Sequence, residues 1–97
     1  MNLDKSKKRI AKRAKMGFQG YPIISISYRG KSVSHAEEVR VEFVMEEGAD
    51  AQVEQFTSKV DAREDEAIQS ALVKMIERSE AKTVVQADGV SPLQGVL

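Results

Sequence analysis

The clearest pattern in the chain is a strict alternation from Val39 to Met45. Val39, Val41, Phe43 and Met45 fall on one side, and Arg40 and Glu42 fall on the other. A period of two predicts a strand with one buried face. Ile23 to Tyr28 repeats the pattern, with Ile24, Ile26 and Tyr28 opposite Ser25 and Ser27. The polar run from Gly30 to Glu37 joins the two strands, and Glu46-Glu47-Gly48-Ala49-Asp50 forms an acidic turn into a third strand over Val53 to Val60. Val53 and Phe56 lie on opposite faces of a regular strand, so a bulge or a later start is expected there.

The period then changes. Ile68, Ala71, Leu72, Met75 and Ile76 recur at helical spacing and predict an amphipathic helix of about nineteen residues beginning after Asp61. Glu64, three residues past Asp61, completes an acidic version of the capping box, and Glu64, Asp65 and Glu66 suit the positive end of the helix dipole. Thr83 to Ala87 is a candidate short fourth strand, and Asp88-Gly89 with Pro92 turns the chain into its tail.

At the other end, Asp4 to Met16 contains no Gly or Pro and is rich in Lys, Arg and Ala, which predicts a helix. Gly17 is placed to end it in the left-handed region, with Phe18 packing back on the last turn, and Pro22 drives Tyr21 into extended backbone. GFQGYP therefore predicts a hinge from helix to strand. The expected architecture is a two-layer α+β fold with an N-terminal helix, a three-stranded antiparallel meander, a C-terminal amphipathic helix and the candidate fourth strand. It divides into a basic helical arm (1–17), a single α+β domain (18–88) and a flexible tail (89–97).

Length and composition bound this picture. Ninety-seven residues, 41% of them apolar, make one small core. The body alone has about seventy residues, near the lower limit for a self-sufficient core, so a homodimer is expected. Absence of cysteine removes thiol chemistry and disulfides and fits a cytoplasmic protein. No apolar run approaches spanning length, so no membrane insertion is expected. The N-terminal cations lack the apolar core of a secretory signal.

Net charge is zero, but it is unevenly distributed. Residues 1–20 carry seven Lys or Arg against Asp4, a net +6, and residues 21–97 carry eight against fourteen acids, a net −6. A basic segment of this kind suits an anionic partner: nucleic acid, a membrane surface or the acidic body of a second copy.

Signs of catalysis are sparse. His35 is the sole histidine, and its neighbours Ser32, Ser34, Glu37 and Glu38 share a loop without an ordered nucleophile-base-orienter arrangement. The acids at Glu46, Glu47 and Asp50, and at Asp61 and Glu64 to Glu66, lack the spacing of a calcium loop. GFQG precedes a strand, whereas a phosphate loop follows one. Met45 and Met75 belong to apolar stripes and read as core filling. The expectation is a non-enzymatic binding protein with no cofactor, no metal and no small-molecule substrate.

The candidate site is the cation set Lys5, Lys7, Lys8, Arg9, Lys12, Arg13 and Lys15. Seven cations on one helix neutralise about four phosphates, giving a duplex affinity with a log-log salt slope of roughly −3.6. Phe18 and Tyr21 beside them either stack on unpaired bases or anchor the helix. Nucleic acid or a ribonucleoprotein leads among partners. The alternative is a protein-interaction or structural module that homodimerises, its basic arm on an acidic protein surface. The order helix, three strands, helix resembles the double-stranded RNA-binding domain, whose second helix opens with phosphate-binding lysines. Here Asp61 to Glu66 reverses that charge, which argues against that mode. The outward residues Ser25, Ser27, Arg40 and Glu42 likewise lack the stacking aromatics of an RNA-recognition sheet.

The run KRIAKRAKMGFQGYPIISISY, residues 8–28, resembles the start of a family of small uncharacterised bacterial proteins in which a Lys/Arg-Ala helix leads into GFQGYP and a strand. The resemblance implies a bacterial cytoplasmic protein of about this length and brings no activity with it.

Overall fold

The computed structural model of the chain describes residues 2–92. It contains helices α1 (Leu3–Lys15) and α2 (Glu66–Ser79) and strands β1 (Ile23–Gly30), β2 (Glu38–Val44), β3 (Gln52–Thr57), β4 (Thr83–Gln86) and β5 (Ser91–Pro92). The order across the sheet is β3-β2-β1-β4, so the expected antiparallel meander is present. β4 joins β1 in parallel, aligning Ile24 with Val84, and makes the sheet mixed. β5 continues along the same edge of β1, pairing Arg29 with Ser91 and Gly30 with Pro92. Of the tail expected over residues 89–97, residues 93–97 lie outside the described residues.

Alternation decides which face is covered. Ile24, Ile26 and Tyr28 of β1, Val39 and Val41 of β2 and Val84 of β4 are buried beneath the helices, with Ile68, Leu72 and Ile76 of α2. Ile10 of α1 joins the same cluster at 1% exposure. Ser6, also on α1, is fully buried, and its hydroxyl lies 3.4 Å from that of Ser70 on α2. Small side chains at this crossing let the two helices approach closely. Both helices therefore form one layer on one face of the sheet, and α1 contributes to the core.

Three expectations are corrected. β3 needs no bulge: its register on β2 is regular from Glu38–Thr57 to Phe43–Gln52, and Val53 simply faces solvent while Phe56 packs inward. The strand also stops at Thr57 instead of reaching Val60. The predicted long second helix is divided. Asp61 caps a single 3₁₀ turn, Ala62–Glu64, by accepting from the Arg63 amide, and Asp65 caps α2 by accepting from Ile68. Asp65 rather than Asp61 is the helix cap, because the chain must turn once more before α2 can lie across the sheet.

Gly17 ends α1 with φ 70°, as expected. Phe18 does not pack back on the last turn; it is 66% exposed and meets Tyr21 edge to face at 5.7 Å. Polar bonds hold the hinge instead. The Gln19 amide donates to the Thr83 hydroxyl at 2.8 Å, that hydroxyl donates to the Gly20 carbonyl at 2.6 Å, and the Lys82 amide donates to the Pro22 carbonyl at 2.9 Å. GFQGYP is thus fixed to the start of β4.

Among the described glycines, Gly30 tolerates an added side chain least. A Cβ there would meet the His35 carbonyl oxygen at 2.1 Å, a backbone atom of the returning loop. Gly30→Ala is expected to cost about 3 kcal/mol, read as a lowered urea midpoint at unchanged slope.

Candidate nucleic-acid interface

Local chemistry explains why α1 forms. The Asn2 side chain accepts from the Lys5 amide at 2.9 Å, Asp4 stands in the first turn, and Lys12, Arg13 and Lys15 stand in the last, matching the helix dipole. Ser6 and Ile10, four apart, turn one side to the core.

The seven candidate cations separate into two groups. Three are tied to the body. Lys7 Nζ is 2.7 Å from Glu64 Oε1, Arg9 Nη1 is 3.4 Å from Glu77 Oε1, and Arg13 donates to the Ala81 carbonyl. Both ion pairs are well exposed, so each contributes at most about 1 kcal/mol. Lys5, Lys8, Lys12 and Lys15 are exposed, and their ammonium groups have no partner among the described residues.

Their spacing of three, four and three residues puts these four lysines within an arc of about 80° and along about 15 Å of helix. That arc is opposite Ile10. The structure therefore turns a generally cationic helix into a ridge of four unpaired lysines, with three further cations holding the helix down. Phe18 stands three residues beyond Lys15 with its ring largely in solvent.

Comparison with protein-family models, with curated proteins and with solved structures gives no match. The functional reading therefore stands on the geometry of the site.

Beside the ridge lies a cleft of about 630 Å³, lined among others by Lys7, Lys8, Tyr28, Arg63, Gln69 and Gln86. It opens where β4 ends and the chain leaves the edge of β1 before returning as β5. Gln69, buried at 2% exposure, donates from Nε2 both to the Tyr28 hydroxyl at 3.0 Å and to the Ala62 carbonyl at 3.1 Å. Burial pushes the Tyr28 phenol above its ordinary range, so it stays protonated. Sequence reasoning missed this group. Gln69 carries no signal beyond being a polar residue beside the apolar stripe, and Tyr28 reads simply as an inward strand residue.

Two of the acids cap helical turns, Asp61 the 3₁₀ turn and Asp65 α2. Among the described residues no cluster of three His, Asp or Glu could hold a metal ion. His35 sits half-exposed in the β1–β2 loop, its amide donating to the Ser32 carbonyl at 3.3 Å. Among the described residues no helix is long and apolar enough to cross a membrane.

Asp61 is pulled down to about 2, first by the hydrogen bonds of the Arg63 side chain, against an opposing effect of burial. Asp65 is lowered too, first by the Ser58 hydroxyl, which donates to it at 2.7 Å. A folded value below the unfolded one stabilises above the unfolded value, and that stability is lost as pH falls through the folded one. For Asp61 the gap from 3.8 to about 2 corresponds to about 2 kcal/mol, complete above about pH 4 and lost towards pH 2. Urea unfolding at pH 5 and pH 2 is expected to show this loss, and Asp61→Asn to shrink the difference between the two.

Proposed function

We propose that the protein is a non-enzymatic binding protein whose lysine ridge, Lys5, Lys8, Lys12 and Lys15, lies along a nucleic-acid backbone, free or within a ribonucleoprotein. The observation that carries this reading is the sorting of the cations. Where ion pairs to the body would have spent the charge of α1 inside the molecule, four ammonium groups on its outer side remain available. Phe18, exposed at the end of the ridge, favours an unpaired strand, because a stacked base contributes about 1–3 kcal/mol without sequence preference.

Titration of labelled RNA and DNA across a range of salt tests the reading. Four neutralised phosphates give a log-log slope of about −2.8 on a single strand and about −3.6 on duplex. Binding that does not respond to salt, or absence of binding at low salt, removes it.

A second reading, a homodimerising interaction module, is favoured by one observation. The sheet face away from the helices carries Val53 at 44% and Val85 at 47% exposure, in the row that also holds Ser25 and Glu42. A sedimentation mass of two chains that falls to one on Val53→Lys with Val85→Lys supports that reading. A monomer at all concentrations removes it.

A further inference from the structure

We propose that the cleft between the end of β1, the 3₁₀ turn and the loop joining β4 to β5 binds a phosphomonoester group, carried either by a free nucleotide or by the 5′ end of a strand on the ridge. Only the second source rests on the ridge reading.

The cleft is where the sheet leaves a gap. β4 pairs with β1 only as far as Gln86, and the Ala87 amide donates to the Ile26 carbonyl at 2.9 Å. The chain then bulges away and returns to β1 at Ser91. The C-terminal end of β4 faces the opening, beside Tyr28 of the continuing β1. At about 630 Å³ the space suits a small ligand.

The cleft offers unused donors. Gln69 Nε2 has two protons and gives one to Ala62 and one to Tyr28. Tyr28 is thereby an acceptor from Gln69, and its own proton has no acceptor among the described residues. Arg63 spends Nε and Nη2 on Asp61, and Nη1 has no partner among the described residues. Lys8 is unpaired and belongs to both ridge and cleft. Three donors thus line one space. The charges around it balance: Lys7 is engaged by Glu64 at 2.7 Å and Arg63 by Asp61 at 2.6 Å, while Lys8 and Asp88 line the space without an ion pair among the described residues. A ligand rich in acceptor oxygens and negatively charged satisfies these groups, and a phosphomonoester is both. Ala11, Ala87 and Gly89 also line the space, and their small side chains do not fill it.

The test uses the full chain with inorganic phosphate, adenosine monophosphate, and one RNA oligonucleotide with and without a 5′-phosphate. Two variants accompany it: Tyr28→Phe, which removes the donor, and Ala11→Phe, which fills the cleft from an exposed helical position. Expected is about tenfold tighter binding of the 5′-phosphorylated strand, or measurable binding of the nucleotide, the effect of a charge-assisted hydrogen bond. Both variants are expected to abolish it. Nucleotide binding without a strand-end effect assigns the free nucleotide, and the converse assigns the strand end. If the 5′-phosphate makes no difference and neither phosphate nor nucleotide binds, the proposal is overturned. It is also overturned if Ala11→Phe leaves binding unchanged. Salt-sensitive binding of the 5′-hydroxyl strand in that case keeps the ridge reading intact.

Discussion

Ile10→Ala is expected to lower the free energy of unfolding by about 3 kcal/mol, within the range for deleting a fully buried aliphatic side chain. Ile10 is 1% exposed and packs in the same cluster as Ile24, Ile26, Leu72 and Val84. If α1 were a separable arm, the substitution would change only local helicity. Because Ile10 belongs to the common core, the whole cooperative transition is expected to shift, at nearly unchanged denaturant slope. Removing residues 1–17 takes Ile10 and Ser6 out of the core, so loss of binding by such a truncation would not separate lost charge from lost fold. Substitutions on the outer side of α1 make that separation.

The second large effect is on binding. Replacing Lys5, Lys8, Lys12 and Lys15 with Gln is expected to weaken nucleic-acid binding about a hundredfold or more at moderate salt and to flatten the salt slope towards zero. The fold should scarcely respond, because exposed substitutions without partners change stability by about 0.5 kcal/mol or less. Relief of the Lys8–Lys12 repulsion acts in the stabilising direction. The matched control is Lys7→Gln with Arg9→Gln, which removes cations already paired with Glu64 and Glu77. It is expected to reduce affinity far less. Fluorescence anisotropy on both variants, with thermal melts alongside, checks the contrast.

Much of the fold was legible because alternation and helical spacing are local. β1 and β2 appear in the sequence at nearly their observed bounds, since Ile24, Ile26, Tyr28, Val39 and Val41 alternate and all are buried, whereas Met45, expected in the same inward row, lies past the end of β2 and is 57% exposed. The division of the second helix was less visible. Asp61 and Asp65 are both good caps, and only the turn that brings α2 onto the sheet decides between them. β4 has four residues, and its parallel partners lie sixty positions earlier, so its place in the sheet depends on long-range pairing.

The site was legible in composition but not in arrangement. Seven cations on one helix are evident in the sequence, whereas their separation depends on Glu64, Glu77 and the Ala81 carbonyl, all far along the chain. The role of α1 in the core was obscured for a related reason. Its buried side consists of Ile10 and a serine, too little apolar surface to mark a core helix, and Ser6 is accommodated only because Ser70 faces it. Val73, buried at 4%, lies outside the predicted α2 stripe for the same cause, since α2 packs against α1 as well as the sheet.

The ridge is tested most directly by an NMR titration of isotope-labelled protein with a short single-stranded RNA at low salt. The account predicts that the largest shifts fall on Lys5, Lys8, Lys12, Lys15 and Phe18, with Ser25, Ser27, Arg40 and Glu42 on the open sheet face unmoved. Shifts centred on that sheet face, or no shifts on α1 at saturating RNA, would contradict it.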